Sequence, residues 1–262
     1  MQNALTNKTI LITKAREDAS EPFAKIAKAG AEMIYFPTIK IVSRINEDYV
    51  KEKLTHSFEY DYLVITSGNA AEVFYKAIKI FKLDLANCKV AVIGKSTAEK
   101  CRGLGIYIHI IPAEFSSQGL LKKFSEFDLT GKKILIPGSS LSRDDLRLGL
   151  TELGAEVTFL PIYDVEENDP AGPGNSISEL NKKKPDIFVF TSPSSFNYFL
   201  QIMKIDDVEK YFTGKIICTI GTTTESAVKE KNVVVNIVPY IFSLEGVADA
   251  IEKFFHTTSD VA

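Results

Sequence analysis

Only three cysteines and three histidines occur among the 262 residues. Cys88, Cys101 and Cys218 are scattered without a CxxC pair, which argues against a zinc ribbon or disulfide scaffold and for a reducing compartment. His56, His109 and His256 are too few and too dispersed for a histidine-rich metal centre. Charge of one sign is also missing: 31 Lys and Arg against 34 Asp and Glu leave a net charge of −3. That balance offers no global attraction to a polyanion, so nucleic acid is not an expected partner. No run approaches 18 apolar residues and no export signal or basic amphipathic leader is evident, so no membrane span is expected and the cytoplasm is the expected address. Nucleotide-binding and serine-nucleophile motifs are absent too. There is no GxxxxGK[ST], no GxGxxG after the first strand, and no GxSxG elbow.

What is present is an ordinary globular composition, 45% hydrophobic and 25% charged. At roughly 150 residues per domain the length suits about two domains. Such a chain buries roughly 70 to 75% of its unfolded surface and needs neither disulfide nor structural metal to complete a core. The sequence also repeats itself. Lys8-Thr9-Ile10-Leu11-Ile12 returns 124 residues later as Lys132-Lys133-Ile134-Leu135-Ile136, and Gly30-Ala31-Glu32 through Pro37 returns as Gly154-Ala155-Glu156 through Pro161. The offset drifts to 125 where Asp61 through Thr66-Ser67 matches Asp186 through Thr191-Ser192. It reaches 127 where Ile93-Gly94 through Thr97 matches Ile220-Gly221 through Thr224, and Pro112 through Gly119 matches Pro239 through Gly246. Ordered matches with slow drift mark an internal duplication.

Each copy alternates strands and helices. Apolar runs predict strands near 9–13, 32–36, 61–65, 89–93 and 106–110, and again near 133–136, 156–160, 186–190, 215–220 and 233–237. Helices are predicted near 19–29, 69–81, 96–103 and 117–124, then near 142–152, 194–203, 223–230 and 243–255. Leu63-Val64-Ile65 and Ile187-Phe188-Val189-Phe190 are apolar on both faces. The expected fold class is therefore α/β, two similar domains with mostly parallel sheets flanked by helices and joined by a two-stranded crossover. Turn-rich breaks follow Pro37 and Pro161 at equivalent points of the two copies. They predict a discontinuous domain of residues 1–38 and 166–262, an inserted domain of 41–162, and a ladder of 37–42 with 161–166 acting as hinge. A plain tandem arrangement is the alternative.

Open α/β layers place functional loops at the carboxyl ends of strands. Here those loops are rich in hydroxyls: Thr66-Ser67-Gly68-Asn69, Gly94-Lys95-Ser96-Thr97, Ser116-Ser117, Gly138-Ser139-Ser140, Thr191-Ser192-Pro193-Ser194-Ser195 and Gly221-Thr222-Thr223-Thr224. At a helix N-terminus, N–H groups and hydroxyls hold an anion, so the set suits a ligand with several carboxylates or phosphates; the plainer reading is helix capping. Lys14 and Arg16 after the first strand, Lys95 after the fourth, and Arg143 with Arg147 on one helix face would add positive charge. His56 and His256 read as surface residues and His109 as a structural one. Adjacent acids, Asp144-Asp145 and Glu166-Glu167, do not share a face and make no acid–base dyad. One asymmetry stands out: Tyr163 has Ile39 as its counterpart. A phenol at a crossover either packs or gives a proton or hydrogen bond to a ligand.

Taken in order, Ile134-Leu135-Ile136-Pro137-Gly138 with Arg143, Gly154-Ala155-Glu156-Val157 through Pro161-Ile162-Tyr163, Phe190-Thr191-Ser192-Pro193-Ser194 and Ile220-Gly221-Thr222-Thr223-Thr224 resemble the uroporphyrinogen-III synthase family, over about Thr9 to Phe255. The resemblance implies two α/β domains built from non-contiguous segments. It implies a lyase of tetrapyrrole, porphyrin and heme biosynthesis that converts linear hydroxymethylbilane to uroporphyrinogen III and water without metal or organic cofactor. In that family, loss of the terminal hydroxyl creates an azafulvene on ring A. Ring D attacks through its substituted carbon, and the spiro intermediate fragments and recloses inverted. By the same resemblance Tyr163 matches a tyrosine that assists hydroxyl departure. Thr66, Ser67 and Thr97 of one domain and Ser192, Ser194, Thr223 and Thr224 of the other match loop positions that hold propionates and acetates. Arg143 occupies a frequently basic position, and Lys14, Arg16, Lys95 and Ser116 complete the expected substrate set. Gly68-Asn69, set against Pro193-Ser194, and Thr222, where proline is common, depart from the family.

The expected partners are the bilane and, transiently, the enzyme that makes it; the chain is expected to be a monomer. An electron-rich pyrrole needs no nucleophile from the protein, whereas departure of hydroxide needs a proton donor and the substrate must be held folded. Competing readings are another α/β synthase or transferase for an anionic metabolite and a non-catalytic two-domain sensor of an anionic small molecule.

Overall fold

The computed structural model of the chain describes residues 4–56, 59–142, 144–168 and 177–259. The chain divides into two compact units, Met1–Lys40 with Glu166–Ala262, and Ile41–Val165.

In the first unit, β1 (Thr9–Ile12), β2 (Glu32–Tyr35), β8 (Ile187–Phe190) and β9 (Ile216–Thr219) form a parallel sheet in the order β2-β1-β8-β9. Successive side chains alternate between faces, and both faces are covered. Ile10, Ile12, Ile187 and Val189 pack with Phe23, Ile26, Val247 and Ile251 from the side of α1 (Arg16–Ala19), α2 (Ala24–Lys28) and α12 (Leu244–Ser259). Leu11, Phe188, Phe190 and Ile217 pack with Leu180, Phe199, Phe212 and Val228, which come from α8 (Ile177–Lys183), α9 (Pro193–Ile202), α10 (Val208–Phe212) and α11 (Thr222–Lys229). The apolar, unalternating strands are explained by this double cover.

The second unit repeats the plan around a five-stranded sheet ordered β3-β7-β6-β4-β5, with β3 (Ile39–Ser43), β4 (Tyr62–Ile65), β5 (Lys89–Val92), β6 (Lys133–Ser139) and β7 (Glu156–Glu167). Strands β4 to β7 run parallel. One face packs on α3 (Asp48–Thr55), α4 (Gly68–Phe81) and α5 (Lys95–Gly103) through Val50, Leu54, Phe74 and Cys101. The other packs on α6 (Ser117–Phe124) and α7 (Asp145–Glu152) through Leu120, Phe124, Leu146 and Leu150. Strand β3 lies beside β7 at the sheet edge. Arg44 N–H donates to Ile162 O at 2.8 Å at one end and Asn168 N–H to Thr38 O at 3.0 Å at the other.

The mostly parallel, helix-covered sheets expected from the sequence are present. Several elements differ. The segments 106–110 and 233–237 are not strands; each makes one parallel bridge, Ala91 with Ile110 and Cys218 with Ile237. A side chain explains it in both copies. His109 Nδ1 accepts from Val90 N–H at 3.0 Å and Asn236 Oδ1 from Ile217 N–H at 2.8 Å, taking donors that a ladder would need. The helix predicted over 19–29 is broken into α1 and α2 around Pro22, which lacks an N–H and disfavours helical backbone at Glu21. Helix α7 starts at Asp145, later than predicted, and β7 runs on to Glu167. Short helices α3, α8 and α10 fall where none was predicted. Among the described residues no helix is long and apolar enough to cross a membrane.

Candidate functional site

In the second unit Tyr163 sits beside Ser139 in the β6–β7 register, after an irregularity at Gly138/Ser139. Its carbonyl accepts from Ser140 N–H at 3.2 Å. Its phenol lies 3.1 Å from Ser67 Oγ. Ser67 is the N-cap of α4 and also accepts from Ala70 N–H at 3.0 Å. Tyr163 is only 4% exposed. That burial pushes its phenol above the ordinary tyrosine value, while the Ser67 contact pulls it the other way. A phenol held protonated is a hydrogen-bond and proton donor, not a base.

The other expected residues of this unit spread along the same strand ends. Thr66 is half-buried between β4 and Ser67. Lys95 opens α5, is exposed, and lies 3.8 Å from Glu99. Thr97 is buried, at 7% exposure. Ser116 caps α6 by accepting from Gly119 N–H at 3.0 Å. Arg143 lies outside the described residues. Arg147, expected to join it, instead binds Asp144 through Nε at 2.9 Å.

In the first unit the sequence points to Ser192, which caps α9 by accepting from Ser195 N–H at 3.0 Å in a reciprocal capping box. Ser194 is half-buried and Thr223 exposed, whereas Thr224 is only 2% exposed. Lys14 lies 4.0 Å from Asp18, and the Arg16 guanidinium stacks 4.8 Å over the Tyr35 ring. Sequence reasoning missed the buried cluster beneath Ser192. Thr13 Oγ1 meets Ser195 Oγ at 3.1 Å and Thr38 Oγ1 donates to Ser195 O at 2.9 Å, while Thr191 and Ser192 N–H donate to Ser195 Oγ at 3.2 and 3.0 Å. The S-x-x-S spacing of Ser192 and Ser195 was the available signal.

Capping divides the strand ends into two kinds. Ser67 and Ser192 close the helices after β4 and β8, whereas Gly94 and Gly221 bring no capping side chain to α5 and α11 after β5 and β9. First-turn N–H groups of α5 and α11 are thereby left open to an anion. Burial pushes Cys88 up to about 12 and Cys101 to about 11, and raises Cys218 as well, so no thiol is poised as a nucleophile. A cleft of about 520 Å³ lined by Cys88, Val90, Tyr107 and His109, among others, includes none of the expected site residues.

A family model, Uroporphyrinogen-III synthase HemD, matches residues 21–249. A uroporphyrinogen-III synthase from Synechococcus elongatus is 26% identical over 98% of this chain and 99% of its own length. A protein named putative uroporphyrinogen-III synthase from Methanothermobacter thermautotrophicus is 28% identical over 73% of this chain and 76% of its own. Among solved structures, a mutant uroporphyrinogen III synthase from the extremely thermophilic bacterium Thermus thermophilus superposes with a TM-score of 0.66 at 18% identity, covering 97% of this chain and 99% of that one. The corresponding protein of Helicobacter pylori gives 0.62 at 16% identity, covering 94% and 99%. These last two carry the fold, and the match over residues 21–249 carries the family: the chain belongs to the uroporphyrinogen-III synthase family.

Proposed function

We propose that the protein cyclises hydroxymethylbilane to uroporphyrinogen III with inversion of ring D. The observation that supports this most directly is the Tyr163–Ser67 contact at the carboxyl end of the sheet, in a chain of this family. The terminal hydroxyl of ring A leaves as water and takes one proton. Tyr163, protonated near neutral pH as phenols are, donates toward that oxygen, and Ser67 orients the phenol. The ring A N–H gives up its proton as the azafulvene forms, and that proton passes through water to restore the Tyr163 phenol, so the net loss is one water. Ring D then attacks through its substituted carbon, and the spiro intermediate fragments and recloses inverted, with no nucleophile needed from the protein.

Geometry is the larger demand, because the wrong carbon of ring D attacks when the chain is not held folded. We assign the propionates and acetates to Lys14, Arg16, Thr66, Lys95, Ser116, Ser194 and Thr223, which are exposed or half-buried, and to the open N–H groups of α5 and α11. Thr97, Thr224 and the Ser192 Oγ serve the packing and capping of those loops. Incubation with hydroxymethylbilane, with the type III and type I isomers separated, tests the reading. Type III in excess is the expected result, and type I at the spontaneous rate would refute it.

A further inference from the structure

The duplicated segments 112–119 and 239–246 build the same device twice. In each, a carbonyl accepts from the N–H two residues on: Glu114 O from Ser116 at 2.9 Å, and Ile241 O from Ser243 at 2.8 Å. These are γ-turns with a phenylalanine at the centre. Neither Phe115 nor Phe242 has a positive φ, so both turns are the common inverse form. The serine then accepts from a helix N–H, Ser116 Oγ from Gly119 at 3.0 Å and Ser243 Oγ from Gly246 at 3.1 Å. Both glycines press on the turn. A Cβ at Gly119 would sit 2.1 Å from Glu114 O, and one at Gly246 2.0 Å from Ile241 O. Turn, cap and glycine together hold each phenylalanine backbone in one conformation.

The rings themselves stay in water, Phe115 at 55% and Phe242 at 49% exposure. Each lies over the N-cap glycine of an uncapped helix. A Cβ on Gly94 would be 3.4 Å from Phe115 Cβ, and one on Gly221 3.1 Å from Phe242 Cγ. Between the two copies Ala113 is replaced by Tyr240, Glu114 by Ile241 and Ser117 by Leu244, yet the phenylalanine is kept. Proline, serine and glycine are kept for the turn; the ring covers one glycine and leaves about half of the residue exposed. What it offers is an aromatic surface beside open N–H groups, the complement of a flat electron-rich ring that carries carboxylate arms.

We infer that Phe115 and Phe242 are specificity-determining residues whose exposed rings each hold a pyrrole ring of the substrate. The inference rests on the substrate reading above. Its test is steady-state kinetics with hydroxymethylbilane on Phe115→Leu, Phe242→Leu, Phe115→Tyr and Phe242→Tyr, with isomer ratio and thermal midpoint for each. Each leucine variant should raise KM about 3- to 10-fold, the worth of an aromatic contact, and enlarge the share of type I. The thermal midpoint should hold, and the tyrosine variants should restore both readouts. Leucine variants with wild-type KM and isomer ratio, or tyrosine variants as impaired as leucine, would overturn the inference while leaving the enzyme assignment intact. A wild-type protein that yields only type I would remove the assignment and this inference with it.

Discussion

The two units share a scaffold and spend their hydroxyls differently. In the first, Thr13, Thr38 and Ser195 are fully buried and bond to one another's side chains or backbone beneath the Ser192 loop. Their counterparts in the second unit, at the repeat offsets of 124 and 125, are Pro137, Ile162 and Ala70. The second unit has lost that internal network, and next to Ile162 it has gained Tyr163, where the first unit has Ile39. Ser67, the counterpart of Ser192, keeps the same helix cap but has the Tyr163 phenol as its side-chain partner. One copy of a duplicated scaffold thus uses polar groups to lock a loop. In the other, the capping serine at the same position has a phenol beside it instead.

The comparison is broken most forcefully where both copies depend on the same close approach. Gly119→Ala and Gly246→Ala each drive a Cβ into a backbone carbonyl and should cost about 2 to 3 kcal/mol, read by thermal or denaturant unfolding. An equal and negligible cost at both would show that the turns relax freely. Next comes the network that only one copy has. Ser195→Ala removes the acceptor for the Thr191 and Ser192 N–H groups and should cost about 2 kcal/mol, whereas Ser67→Ala loses chiefly a helix cap, about 1 kcal/mol. Equal losses at the two serines would erase the distinction drawn between the units. The last effect has the opposite sign. Thr219 Oγ1 is buried without a hydrogen-bond partner among the described residues, and its counterpart is Val92. Copying that residue as Thr219→Val should stabilise the protein by about 1 kcal/mol, because an unsatisfied hydroxyl becomes a methyl. A destabilised variant would mean that a partner exists for that oxygen.

Much of this layout was legible because it is local. Strands such as β4 and β8 are apolar at every position, and Ser67, Ser116 and Ser192 stand where serines cap helices. The segments 106–110 and 233–237 misled, since an apolar run says nothing of whether a side chain such as His109 or Asn236 will take the neighbouring N–H. Helix α3 was discernible only in the i,i+4 pair Val50 and Leu54, too short a signal against its charged surroundings. The Ser67–Tyr163 contact joins residues 96 apart, so spacing cannot reveal it. The asymmetry with Ile39 marked Tyr163, but not its partner. Likewise the exposure of Phe115 and Phe242 depends on turns whose tightness resides in Gly119 and Gly246 contacts, visible only in three dimensions.

The central claim, the donor role proposed for Tyr163, is tested most directly by Tyr163→Phe. This change keeps the ring in the buried cluster to which Leu135, Leu160 and Ile162 also belong, and deletes only the hydroxyl. Single-turnover cyclisation of hydroxymethylbilane should slow by something on the order of 10²-fold, the low end of general-acid effects, with stability changed by no more than about 1 kcal/mol. Type III should remain the main enzymatic product, because ring placement rests on the loops. An unchanged single-turnover rate, or a loss of stability as large as the loss of rate, would contradict the account and leave Tyr163 a packing residue.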